Sequence, residues 1–166
     1  NRFDKTLLLV TCAKRHRLVA SVSRMISIGV PTEELILKTD AAAFVHATLQ
    51  NAMRKAVNPD TNGSALYEAA RNAYERSGFP DEINKHHQGG ATGYRTRDWV
   101  ANPASGDQIF PQQAFAWNPS ITGTKVEDTI IRIGDEIEVF TKSPEFPIIE
   151  TVIEGHSYYS HGILTI

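Results

Sequence analysis

The sequence predicts an α+β domain. Three observations carry that reading: an apolar hairpin pattern over residues 6–28, two helix patterns between Pro31 and Gly78, and a further run of strand-like segments from Ala114 to Ile166. Strands, then two helices, then strands again is not the alternation that builds a parallel sheet.

Each element follows from local chemistry. Thr6–Ala13 is a continuous apolar run, the pattern of a strand buried on both faces, with Cys12 as a small buried hydrophobe. Lys14-Arg15-His16-Arg17 interrupts it as a solvated turn, and Leu18–Ser23 with Arg24–Ile28 returns the chain to Gly29. Pro31-Thr32-Glu33-Glu34 then starts a helix: Thr32 caps it, and two acids face the positive end of the dipole. Its stripe of Leu35, Thr39, Ala42, His46, Leu49, Met53 and Ala56 runs to Val57, where Asn58-Pro59-Asp60 stops it. His46 on such a face reads as a packed, hydrogen-bonded side chain. Ser64 caps the second helix, which carries Leu66, Ala70, Ala73 and Tyr74, and Gly78 ends it with Phe79 and Pro80 following. Residues 100–114 read as loop, Ala114–Trp117 as a short strand and Asn118–Gly123 as a turn. Glu127–Ile133 pairs through Gly134-Asp135 with Glu136–Thr141, and Ile148–Ile153 and Ile163–Ile166 close the chain. There is no internal repeat, low-complexity tract or linker, so one domain over 1–166 is expected.

Composition narrows the partners. With 166 residues and 41% apolar content the chain can bury a full core. Its 17 basic and 19 acidic residues give a net charge of -2, and no basic stripe marks a nucleic-acid surface. No apolar run reaches membrane-spanning length. A single cysteine and the absence of signal-peptide features give a cytoplasmic expectation.

The segment with most chemistry is His86–Glu127. His86-His87-Gln88-Gly89-Gly90 sets imidazoles beside paired glycines, which allow close backbone approach. Trp117-Asn118-Pro119 and Lys125-Val126-Glu127-Asp128-Thr129 follow. Imidazole, amide and carboxylate from separate segments can line one cleft.

His87-Gln88-Gly89-Gly90, Asn118-Pro119 and Glu127-Asp128-Thr129, in this order and spacing, resemble the creatinase, prolidase and methionine aminopeptidase superfamily, and most nearly its Xaa-Pro aminopeptidases and dipeptidases. The resemblance implies the pita-bread fold over nearly the whole chain, as a C-terminal catalytic-type domain lacking its first helices. Working members of that superfamily hold two divalent metal ions (manganese, cobalt or zinc) with two Asp, one His and two Glu. Such hard ligands bridge two ions and fix a hydroxide for attack on a peptide carbonyl.

Carried over by position, the resemblance assigns His87 to the metal-binding histidine and Glu127 to the last bridging glutamate. The other glutamate position is Asn118. The two aspartate positions fall near Val10 or Thr11 and at Ser21, the latter just ahead of the element ending in Arg24. An amide, a hydroxyl and an aliphatic group cannot neutralise two dications, so no metal cofactor is expected; a single ion would use His87 and Glu127.

The cleft itself survives this loss. Creatinase hydrolyses its substrate on this fold without metal, so the resemblance allows His87 as acid–base and Glu127 as its orienting or cation-pairing partner. Tyr94, Arg97, Trp117 and Asn118 are the expected substrate-binding residues, for a peptide or a small cationic or amide substrate. The main expectation is an Xaa-Pro peptidase-like hydrolase with a degraded dimetal site. The alternative is a peptide-binding pseudoenzyme, and a homodimer is compatible with either.

Overall fold

The computed structural model describes residues 5–56 and 61–166. The α+β reading holds, with the order of two strands, two helices and nine strands. β1 (Thr6–Arg15) and β2 (Leu18–Ser27) form one long antiparallel hairpin, turned at His16 and Arg17, whose φ values are +50° and +72°. The basic cluster is therefore its exposed tip.

β1 corrects the sequence reading. It is an edge strand of the sheet β1-β2-β11, in which β11 is Ile163–Thr165, and Leu8, Leu9 and Val10 are 41–55% exposed rather than buried on both faces. Cys12 is exposed too. An apolar run reports what a strand could bury, and here nothing among the described residues covers it. β2, with the inner side of this hairpin, buries Ser21, Ser23, Arg24, Met25 and Ser27.

α1 (Glu33–Lys55) starts as expected: the Thr32 hydroxyl accepts from the Leu35 amide at 3.2 Å. Its stripe from Thr39 to Met53 is buried. The expected stop at Val57–Asp60 lies outside the described residues. α2 (Gly63–Arg76) is capped two residues earlier than expected, by the Asn62 side chain accepting from Ala65 N at 3.2 Å. Ser64 instead donates its hydroxyl to Asn62 at 2.7 Å, because a longer amide reaches the free helix donors from outside. Gly78 adopts the left-handed conformation at φ +85°, and Phe79 packs back on the core.

A 3-10 turn at Pro80–Asn84 leads to β3 (Gly89–Thr92), which sequence reading treated only as a glycine segment. β3, β4 (Gln112–Trp117), β7 (Asp128–Ile133) and β8 (Glu136–Val139) form an antiparallel sheet in that order. β5 (Ser120–Ile121), within the expected turn, and β6 (Thr124–Lys125), just after it, make a small hairpin. β9 (Ile148–Ile153) pairs with β10 (His156–His161), a strand that sequence reading passed over, and β11 (Ile163–Thr165) runs parallel to β2.

The core lies where α1 and α2 pack on this framework. Leu49, Met53, Leu66, Tyr74, Phe115, Trp117 and Ile130 are fully buried. The rings of Phe115 and Trp117 stack at 5.6 Å, and the Trp117 indole N–H points to the Met53 sulfur.

Candidate functional site

The two sheets meet where β2 runs beside the start of β7. Ser23 N donates to Glu127 O at 3.2 Å, and Ser21 exchanges two bonds with the Thr129 hydroxyl, at 2.8 and 3.0 Å. These bonds bring Ser21 and Ser23, two apart on one face of β2, against Glu127.

β3 supplies the third wall. A Cβ on Gly89 (φ +111°) would lie 2.1 Å from Ala116 O, and one on Gly90 would lie 2.1 Å from Trp99 O. The paired glycines therefore serve backbone-to-backbone approach, which seats His87 and Gln88 next to Asn118. Asn118 N donates to Gln88 O at 2.9 Å.

Arg97, from the loop after β3, enters this corner. One terminal nitrogen donates to Glu127 Oε1 at 3.1 Å and to Asn118 Oδ1 at 3.3 Å; the other reaches Ser21 Oγ at 3.4 Å and Thr96 O at 2.6 Å. Lys125 Nζ lies 2.9 Å from Glu127 Oε2, and Ser23 Oγ donates to that same oxygen at 2.5 Å. Glu127 is thus a buried carboxylate held by two cations and a hydroxyl. Burial raises its pKa, but the Ser23 and Lys125 hydrogen bonds, the Lys125 charge and the Arg97 bond outweigh burial and leave it below the ordinary carboxylate value.

His87 stands at the exposed rim of this cluster. Partial enclosure of its ring lowers its pKa, Arg97, His86 and Lys125 push the same way, and Glu127 opposes them. Its imidazole is therefore biased to the neutral form at neutral pH.

Behind the cluster, Asp128 is fully buried, 2.7 Å from Arg24 and 3.2 Å from His161 Nδ1. Burial raises its pKa, yet the His161 bond and the neighbouring His46 and Arg24 charges bring it below the ordinary value. His46 is packed as expected, its Nδ1 2.8 Å from Ser160 Oγ and 3.1 Å from the Gln50 amide.

The sequence-predicted residues divide clearly. Glu127, Asn118 and Arg97 meet, with His87 at their rim. Trp117 does not line the cleft: it is fully buried, so its expected place on a substrate wall is corrected to a core role. Tyr94 is 69% exposed and makes no side-chain hydrogen bond among the described residues. Ser23 and Lys125 were not singled out from the sequence. Two-residue spacing was the available signal, since Ser21/Ser23 and Lys125/Glu127 each stand two apart in extended chain.

Among the described residues, no group of three or more His, Cys, Asp or Glu side chains is placed to hold a metal ion. Nor is any helix long and apolar enough to cross a membrane.

The profile of metallopeptidase family M24 matches residues 2–140. Solved structures with the same fold include prolidase from Pyrococcus furiosus (TM-score 0.70, 17% identity, 83% of this chain and 41% of that one). X-Pro aminopeptidase from Thermotoga maritima MSB8 aligns with a TM-score of 0.69 at 16% identity, over 97% of this chain and 42% of that one. Xaa-Pro dipeptidase from Bacillus anthracis aligns with a TM-score of 0.70 at 21% identity, over 84% and 39% respectively. The chain thus spans about two fifths of the length of these proteins. Comparison with curated protein sequences finds no match.

Proposed function

The chain belongs to metallopeptidase family M24 and has its pita-bread fold, and from that premise we propose that its cleft binds peptides without the family's two metal ions. The observation that carries this reading is the Arg97 guanidinium, which bonds Ser21, Asn118 and Glu127 together. Those are three of the five positions at which the family resemblance expects metal ligands.

The donor set does not fit the dimetal group. Val10 and Thr11, the two candidates for the first aspartate position, carry no carboxylate and lie across from Ser23 and Val22 in the β1–β2 register. Ser21 and Asn118 are neutral, and the one carboxylate, Glu127, is already compensated by Arg97 and Lys125. Two dications introduced there would face two fixed positive charges and one carboxylate. In this reading the protein's own cations stabilise the carboxylate that metals stabilise in working relatives.

A peptide binder is favoured over a hydrolase because Glu127 already accepts from Arg97, Lys125 and Ser23, which hold it ionised and make it a weak base. A second reading, a metal-independent hydrolase, draws on His87: its lowered pKa supplies a neutral imidazole able to take a proton.

Calorimetric titration with Mn²⁺, together with elemental analysis after soaking in manganese, cobalt and zinc, tests the proposal. No stoichiometric binding is expected. Two equivalents bound through His87 and Glu127 would overturn it. Cleavage of Ala-Pro or Gly-Pro by metal-free protein, lost in His87→Ala, would select the hydrolase instead.

A further inference from the structure

A groove of about 820 Å³ opens between β8 and β10 and shares no residue with the Arg97–Glu127 cluster. Gln50 and Arg54 of α1 lie along it, and residues 135–139 and 156–159 line it from two different sheets. All of β9 and β10 lie beyond the stretch matched by the family profile.

Both strands present an open edge. β8 pairs with β7 and β10 pairs with β9, and among the described residues neither has a strand on its other side. The phase of each ladder fixes which backbone groups face outward. Ile133 and Glu136 flank the two-residue Gly134-Asp135 turn and exchange the first bonds, a phase continued by Phe140 N donating to Thr129 O at 2.9 Å. Ile137 and Val139 therefore turn their N–H and C=O away from β7. By the same alternation from the Glu154-Gly155 turn, Ser157 and Tyr159 turn theirs away from β9. One of these outward groups, Tyr159 O, is met at 3.4 Å by the Gln50 amide.

The groove also has a chemical polarity. Ile137, Val139, Phe146 and Ile148 give it apolar surface. At the β7–β8 turn, Asp135 and Glu136 stand in no ion pair among the described residues, whereas Glu138 is matched by Lys142 at 3.3 Å.

We propose that this groove binds an extended peptide segment as an added strand bridging the edges of β8 and β10. The segment carries apolar side chains at alternate positions and a Lys or Arg placed against Asp135 and Glu136. Strand addition uses the outward backbone groups of both edges, which a helix, with its own donors and acceptors paired internally, leaves unmet. The size agrees: a strand takes about 4.8 Å by about 10 Å in section, so this volume holds roughly five residues.

The probe is a fluorescein-labelled acetyl-Thr-Val-Thr-Val-Thr-Val-Lys-Lys amide, read by anisotropy against the whole chain. Val139→Pro and Ser157→Pro each remove one outward N–H while keeping the ladder bonds to β7 and β9. Each is expected to weaken binding roughly tenfold with an unchanged circular dichroism spectrum. Replacing both probe lysines by glutamate should weaken it as well. A probe N-methylated at alternate residues should not bind, and this arm stands even where a proline variant fails to fold. No binding up to about 1 mM, equal affinity in either proline variant, or equal binding of the N-methylated probe would overturn the proposal. So would a concentration-dependent dimer abolished by these prolines, which would make a second copy the occupant.

Discussion

Arg97 and Glu127, thirty residues apart in sequence, form an ion pair at 3.1 Å with only 12% and 4% of their side chains exposed. A pair so enclosed stabilises its surroundings only while both partners are present. Arg97→Ala leaves Glu127 with Lys125 and Ser23 and should destabilise the protein by about 3 kcal/mol. Pairing it with Glu127→Gln should cost clearly less than the sum of the single changes. Urea denaturation of the four proteins in that cycle measures the coupling, and strict additivity would contradict the geometry.

The same pair predicts an acid limb of stability. The folded pKa of Glu127 lies below its reference of 4.5. Its contribution is therefore complete above that reference and is lost as pH falls through the folded value. Unfolding free energy should decline below about pH 4.5, and Glu127→Gln should make that limb shallower. An unchanged slope in the variant would remove Glu127 from the account.

His46 acts over a higher pH window. Burial brings its pKa from 6.5 to about 4, and its Nε2 has no hydrogen-bond partner among the described residues. The neutral ring is the folded form. Protonation favours the unfolded chain, so stability is fully present above about pH 6.5 and falls as pH drops towards about 4. The loss is on the order of 3 kcal/mol. NMR titration of the imidazole should give a midpoint well below 6, and His46→Gln should flatten stability across this window.

The glycines of β3 test how tightly the third wall is built. Gly90→Ala places a methyl 2.1 Å from the Trp99 carbonyl, and Gly89→Ala adds a strained φ of +111° to an equal clash with Ala116. Each should destabilise by roughly 3 kcal/mol or more, with Gly89→Ala the worse. Thermal melts decide it. Gly106→Ala, where nothing lies within 4 Å of the added methyl, serves as the neutral control.

His87 should be dispensable for stability. It sits exposed at the rim, and His87→Ala is expected to change unfolding free energy by less than about 0.5 kcal/mol. A larger loss would mean that its ring is part of the packing.

Much of this molecule is written locally. Thr32 ahead of two glutamates starts α1, and Gly78 before Phe79 and Pro80 ends α2, because capping depends on residues within one turn of each other. The α+β order and the short motifs at His87, Asn118 and Glu127 led to the family for the same reason: they are spacings along the chain. What neighbours a residue across the fold was not legible. The run Thr6–Ala13 looks like a doubly buried strand, yet exposure is set by whether another layer covers it, and β1 lies at a sheet edge. Trp117 looks equally suited to a cleft wall or a core, and only the packing of Phe115 and Met53 decides for the core. Arg97, expected to bind substrate, becomes an ion-pair partner of Glu127 only once β3, β4 and β7 bring the two together. The sequence alone determined that Ser21, Asn118 and Glu127 stand at these points of the chain; the tertiary structure decided that Arg97 and Lys125 balance the Glu127 carboxylate, because Coulombic pairing follows distance in space and not along the chain.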